Sequence, residues 1–256
     1  MDLHATPKAL AKWMLAHTPY RVTRGAANRF DAVEACLRRL ALGGFAPGLI
    51  VDAGARRGGF ASMARRLFPL ADIHMIEPQP ACAAALRRLT MRRGFFFHQV
   101  AVGAVQGTLY MRTSGDEGDG DASGEGGAAR IATQDAANMV VEATTLDQLF
   151  AGRVHSSGED GERVLLRLDL DGQELCALGG ASRFLPKVEV LQMEVSFMRD
   201  GVQPTLREIV DFLDEAGFEL FDVAALFGSL SEDRLRLGDL LFVRRGTPLW
   251  RAKMRG

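Results

Sequence analysis

The sequence predicts a doubly wound α/β fold: a mostly parallel seven-stranded sheet with one antiparallel edge strand, preceded by N-terminal helices. Three observations predict it. First, short apolar runs alternate with amphipathic stretches: Leu49 to Val51, then Phe60, Met63, Ala64 and Leu67; Ile73 to Ile76, then Cys82, Ala85, Leu86 and Leu89; then Phe95 to Phe97. Strands that are apolar along their whole length are buried on both faces, and crossovers of helical length force parallel pairing. Second, the alternation resumes at Val164 to Leu168, with a helix holding Leu175 and Leu178 and then Val188 to Val195. Third, no helical period separates Phe218 to Val223 from Leu240 to Val243, so these can form an antiparallel pair at one edge.

The remaining elements follow in order. Phe30, Val33, Cys36, Leu37 and Leu40 recur at three- and four-residue spacing, and Gly43-Gly44 stops that helix. Residues 1–48 read as a helical segment and residues 49–256 as the sheet domain. Thr145 with Gln148 and Asp171 with Glu174 have the spacing of helix caps. A helix carrying Leu206, Ile209, Val210 and Leu213 opens near Pro204 and closes at Gly217. Ser114 to Gly127 holds six glycines, five acidic residues and nothing apolar larger than alanine. Such a stretch cannot offset its ordering entropy by burial, so a mobile surface loop is expected.

Composition narrows the function classes. The 256 residues are 47% hydrophobic and 25% charged, as in an ordinary soluble domain. No apolar stretch approaches the ~20 residues that cross a bilayer, and the first residues show no charged-then-apolar signal pattern, so a cytoplasmic location is expected. Cys36, Cys82 and Cys176 fall far apart in helical stretches, which predicts buried small hydrophobes rather than disulfides or a zinc site. Residues 1–112 carry 16 basic against 6 acidic residues and residues 113–162 carry 2 against 11. The cations, such as Arg65-Arg66 and Arg87-Arg88, sit on helical faces where solvation explains them, so no nucleic-acid partner is indicated. The five histidines show no paired spacing, which gives no support to metal chemistry. His98 could edge the site, although a satisfied strand-end histidine is the plainer reading.

The chemistry concentrates at strand ends. Val51-Asp52-Ala53-Gly54-Ala55-Arg56-Arg57-Gly58-Gly59-Phe60 lies where a strand turns into a helix, where glycines admit a close ligand and free N–H groups favour an anionic one. Glu77, 23 residues after Gly54, ends the next strand, where a carboxylate can accept from both hydroxyls of a ribose. Together they favour an adenosine-bearing cofactor. The D-x-G-x-x-x-G spacing has no glycine at Arg56, so it fits a dinucleotide pyrophosphate poorly. Asp169, beyond the end of the fourth strand of the doubly wound set, should face the same crevice and suits a base. Arg167 and Glu194 are charges where a buried strand would otherwise hold an aliphatic residue. A structural ion pair and a catalytic role remain equally open for them.

Val51-Asp52-Ala53-Gly54-Ala55, Ile76-Glu77-Pro78, Val100-Ala101-Val102-Gly103, Thr145-Leu146-Asp147, Arg167-Leu168-Asp169-Leu170-Asp171-Gly172-Gln173-Glu174, Glu194-Val195 and Asp239-Leu240-Leu241-Phe242-Val243 follow one another in an order and spacing that resembles the FkbM-type methyltransferases. The resemblance spans roughly residues 49–243. It implies a Rossmann-like class I methyltransferase fold, S-adenosylmethionine as methyl donor, and O-methylation of a small-molecule or glycan hydroxyl. It places Asp52, Gly54, Ala55, Arg56, Gly58, Glu77, Pro78 and Ala101 at the cofactor and Asp169 and Glu194 at the reaction. Asp169 is the first choice for base or acceptor orienter. Arg56 stands where the family has a small amide residue, and Arg167 replaces a lysine. The rival reading, a catalytically degenerate scaffold of the same fold, rests on Arg56 crowding the cofactor turn. The identity of the acceptor and the oligomeric state have no code in the sequence.

Overall fold

The computed structural model describes residues 30–113, 129–153, 162–197, 203–229 and 234–254. Most of the expected N-terminal helical segment, 1–29, and the expected loop at 114–127 lie outside the described residues. In chain order the elements are α1 (Phe30–Leu42), β1 (Leu49–Ala53), α2 (Gly59–Leu67), β2 (Asp72–Ile76), α3 (Pro80–Thr90), β3 (Phe95–His98), β4 (Ala101–Val102), β5 (Gly107–Thr113), β6 (Ala129–Ile131), β7 (Met139–Thr144), α4 (Leu146–Leu149), β8 (Val164–Leu168), α5 (Glu174–Gly179), β9 (Val188–Ser196), α6 (Leu206–Glu215), β10 (Phe218–Ser229), β11 (Arg234–Arg244) and α7 (Pro248–Met254).

Seven strands form the main sheet in the order β10-β11-β9-β8-β1-β2-β3. From β3 to β9 neighbours run parallel, and β11 is antiparallel to both β9 and β10, so the reversed strand lies at the expected side of the sheet. β1 and β8 are buried at every position, which is why their sequences carry no alternation. One face packs against α1, α2, α3 and α7 through Leu37, Leu40, Phe60, Met63, Leu86 and Leu249. The other packs against α4, α5 and α6 through Leu146, Ala177, Leu178, Ile209 and Leu213. Side chains as fully buried as Leu37 and Leu40 stabilise the fold by roughly 1.5–3 kcal/mol each before entropy is counted.

A second, four-stranded sheet, β4-β7-β5-β6, is absent from the sequence expectation. Its strands bury little: Met111 is the one buried position of β5, and Ala101, Met111, Val141 and Ala143 make its small core. The outermost strand of the main sheet, β10, runs twelve residues and exposes Leu220, Val223 and Leu226, and its pairing with β11 shifts register at three places.

Several local signals resolve differently from their expectation. Thr145 caps α4 as its spacing predicts, accepting from Gln148 N. Asp171 does not cap α5, because it stands two residues before the N-cap Gln173 in a left-handed conformation; instead Glu174 folds back to accept from Leu170 N and Gly172 N. The capping box that does form, Thr205 with Glu208 on α6, was equally legible as T-x-x-E. Cys36 and Cys82 are buried, but Cys176 is exposed, because the short helix α5 turns Ala177 and Leu178 inward and leaves position 176 outside.

Among the described glycines, Gly54 leaves the least room for a side chain. Its φ is 84°, and a Cβ built on it would stand 1.9 Å from the backbone oxygen of Asp169. Gly54→Ala should therefore cost at least about 3 kcal/mol in urea unfolding, since the ends of β1 and β8 must separate as well as the backbone strain. Gly44, with φ 88° and nothing within 4 Å of where a Cβ would stand, isolates the conformational part. Gly44→Ala should cost only about 1–2 kcal/mol. Equal losses at the two positions would show that the β1–β8 approach is not tight.

Candidate active site

A cleft of about 520 Å³ opens beyond the carboxyl ends of β1, β2 and β8 and is roofed by the second sheet. Ligands of open α/β sheets bind in this position. Gly54, Arg56, Glu77, Pro78, Ala101 and Asp169 all border it. Asp52, Ala55 and Gly58 do not: Asp52 lies fully buried beneath, and Gly58 backs onto Leu86 and Leu89 of α3. Much of the wall is apolar, with Ile76, Val100 and Val102 on one side and Leu109, Met111 and Ile131 from the second sheet on the other.

Glu77 follows β2 and is 2% exposed. Its Oε2 accepts from Arg56 N and its Oε1 from Gln79 N, both at 2.9 Å. Burial pushes its pKa above the ordinary carboxylate value, and the two backbone amides pull it back in part. Each oxygen keeps a further lone pair, which a diol at the cleft can use.

Asp169 is set by its neighbour on β8. Arg167 donates from Nη2 to Asp169 Oδ2 at 2.5 Å and from Nη1 to Asp52 Oδ1 at 2.7 Å and Gly54 O at 3.2 Å. All three charged residues are at least nine-tenths buried, and the guanidinium lies over the Phe60 ring at 4.9 Å. Burial raises the pKa of Asp52, with Arg167 opposing. Arg167 thus forms a buried ion pair and does not itself border the cleft, while its partner Asp169 does.

Glu194 is not in this cleft. It lines an adjoining cavity of about 380 Å³ with Glu174, Ser196, Gln203 and Arg130, and Asp171 borders both spaces. The separation follows from position, since Glu194 lies near the end of β9, one strand farther from β1 than β8. His98 does not border this cleft; its Nε2 lies 2.9 Å from His74 Nδ1, so two histidines far apart in sequence are neighbours across β2 and β3. Among the described residues there is no cluster of three or more metal-ligating side chains. Asp147, part of a motif whose role the sequence left open, accepts from Arg183 N, Phe184 N and Ser182 Oγ and so fixes the turn after α5.

Burial raises the pKa of Glu174 from 4.5 to about 7. Between those values the folded chain binds more protons than the unfolded one, so this group's contribution to stability falls as pH rises. Glu174→Gln keeps an oxygen for the two amides and does not titrate. Relative to wild type it should gain up to about 3 kcal/mol between pH 4.5 and pH 8 in denaturant titrations. A pH-independent difference would contradict the burial argument.

The sequence model described as methyltransferase FkbM domain matches residues 52–220. Similar solved structures include methyltransferase FkbM from Methylobacillus flagellatus KT, at 17% identity and TM-score 0.47 over 77% of this chain and 43% of that one. Others are precorrin-6y C5,15-methyltransferase from Geobacter metallireducens GS-15, at 14%, TM-score 0.44, 87% and 93%, and N-methyltransferase NodS from Bradyrhizobium japonicum WM9 with S-adenosyl-L-homocysteine, at 11%, TM-score 0.44, 93% and 97%. The chain spans less than half the length of the first of these. No curated protein matches. The matched sequence model covers more than half of the chain and takes in Gly54, Glu77 and Asp169 at the cleft together with the Arg167 bridge beneath them: the chain belongs to the methyltransferase FkbM family.

Proposed function

We propose that the chain is an S-adenosylmethionine-dependent methyltransferase acting on a hydroxyl of a small molecule or glycan. The observation that carries this is the convergence of Glu77, Gly54 and Asp169 on one cleft at the carboxyl edge of the sheet. The residues present fit the cofactor. Glu77 offers buried carboxylate oxygens to a ribose, and the apolar walls at Ile76, Val102 and Met111 suit a purine and exclude water. When bound, S-adenosylmethionine supplies an electrophilic methyl group.

The chain's own part is then orientation and proton handling. Asp169 presents a carboxylate whose direction Arg167 fixes, and such a group can hold an acceptor hydroxyl in line and take up its proton. The adjoining polar cavity, with Glu194, Ser196 and Gln203, is the space beside that carboxylate in which a hydroxylated acceptor can lie. Glu194 thereby becomes an acceptor-binding residue in this reading rather than a second base. The rival reading, a scaffold without turnover, draws on Arg56 occupying the cleft wall, where it reaches Asp171 at 3.5 Å. Calorimetry with S-adenosylhomocysteine separates the two: micromolar binding supports the enzyme, and no binding at millimolar ligand supports the scaffold.

Glu77→Ala should weaken S-adenosylhomocysteine by about 10- to 100-fold, because hydrogen bonds to a charged group are worth roughly 1.5–3 kcal/mol. It also orphans two backbone amides, so stability should fall by about 1–3 kcal/mol. A dideoxyribose analogue of the ligand separates these effects: its affinity relative to S-adenosylhomocysteine should differ between wild type and Glu77→Ala. An unchanged ratio would remove Glu77 from the ribose site. Once an acceptor is in hand, Asp169→Asn should cut turnover at least about 100-fold while S-adenosylhomocysteine affinity stays nearly constant. Loss of ligand binding together with turnover would make Asp169 a cofactor ligand instead.

A further inference from the structure

Arg56 and Asp171 come from the loops after the paired strands β1 and β8 and meet at the wall of the cleft, Nη2 to Oδ1 at 3.5 Å, with side chains 10% and 19% exposed. Both adopt left-handed backbone conformations, at φ 48° and 50°, and no other non-glycine residue among those described does so. Aspartate tolerates that region because its short polar side chain can bond locally; arginine has no such device, and the cost is of order 1–2 kcal/mol. Strain of this kind persists where the surroundings impose it, and here it places one cation and one anion on the wall of a largely apolar cleft.

We propose that Arg56 and Asp171 together read the amino-acid end of an adenosyl cofactor, Arg56 taking its carboxylate and Asp171 its ammonium. This deepens the methyltransferase reading above and rests on it. Three features argue for it. An ion pair in an apolar wall gives up more hydration than it recovers, whereas a zwitterion of opposite polarity turns one ion pair into two. The existing contact is long for a charge-assisted hydrogen bond, so opening it costs little. Finally, Arg56 donates its backbone N–H to Glu77 Oε2, so the residue that would hold the amino-acid tail is tied to the carboxylate that would hold the ribose. The amino-acid tail and the ribose of one ligand are then met by a single hydrogen-bonded unit. Arg56, which by size crowds the turn, becomes a contact rather than an obstruction.

The test is calorimetry on the full chain with S-adenosylhomocysteine and with its decarboxylated analogue, which keeps the ammonium and lacks only the carboxylate. Wild type should prefer S-adenosylhomocysteine by about 10- to 100-fold. Arg56→Gln should abolish that preference while binding the analogue within about threefold of wild type, and Arg56→Lys should keep part of it. Because the preference is a ratio measured within one protein, a general loss of stability in the variant does not alter its meaning. Asp171→Asn, an exchange the left-handed backbone tolerates, should weaken both ligands by about tenfold, since both carry the ammonium. A preference retained in Arg56→Gln, or affinities unchanged in Asp171→Asn, overturns the proposal and leaves the methyltransferase reading standing. A wild type that binds neither ligand overturns both.

Discussion

Arg167 holds Asp52 on the neighbouring strand and Asp169 two residues along its own chain, and the carboxyl edge of the sheet is positioned from that bridge. Apolar side chains of similar volume could join β1 to β8 as firmly, because burying three charges costs much of what their attraction returns. What apolar packing cannot do is point a carboxylate. The guanidinium contacts Asp52, Gly54 O and Asp169 at once, so the β1 turn and the end of β8 cannot shift independently. The missing Cβ of Gly54 lets the Asp169 carbonyl come close enough for that geometry. The glycine that reads in sequence as room for a ligand borders the cleft and is, in the fold, also room for the neighbouring strand.

The site therefore has two differently built halves. On the β2 side, Glu77 is clamped by backbone amides at both oxygens, and its position depends on main-chain geometry alone. On the β8 side, Asp169 and Asp171 contact side-chain partners, Arg167 below and Arg56 beside them at the cleft. Backbone amides cannot swing away and Arg167 is buried between its partners, whereas the partly exposed Arg56 can change rotamer, so Asp171 can exchange its partner for what occupies the space while Glu77 and Asp169 stay in place.

Much of the main sheet was legible in the sequence because buried strands and amphipathic helices leave long, unmixed signals. The continuous apolar run from Val164 to Leu168 in β8, and the spacing of Leu86 in α3 or Ile209 in α6, needed no further information. The second sheet was not legible: β4 has two residues, β5 buries one side chain, and a Gly- and acid-rich stretch divides β5 from β6. At the site, Gly54, Glu77 and Asp169 could be placed together because strand ends share one edge. The separation of Glu194 into the next cavity, the pairing of His74 with His98, and the contact of Arg56 with Asp171 depend on how loops and roof close over that edge. Sequence spacing carries no record of such closure.

Among the described residues no strand pairs with the outer side of β10, which presents apolar Leu220, Val223 and Leu226, a combination that offers other chains a template for β-pairing. Its three register shifts against β11 break that template into short pieces. Each irregularity turns the strand locally and throws its outward amides out of line, so an approaching strand finds only a short run of matching groups before the pattern fails. The sheet can thus end in a long strand, wide enough to support α1 and α6 on its two faces, without the growth by stacking that a straight edge of the same composition would invite.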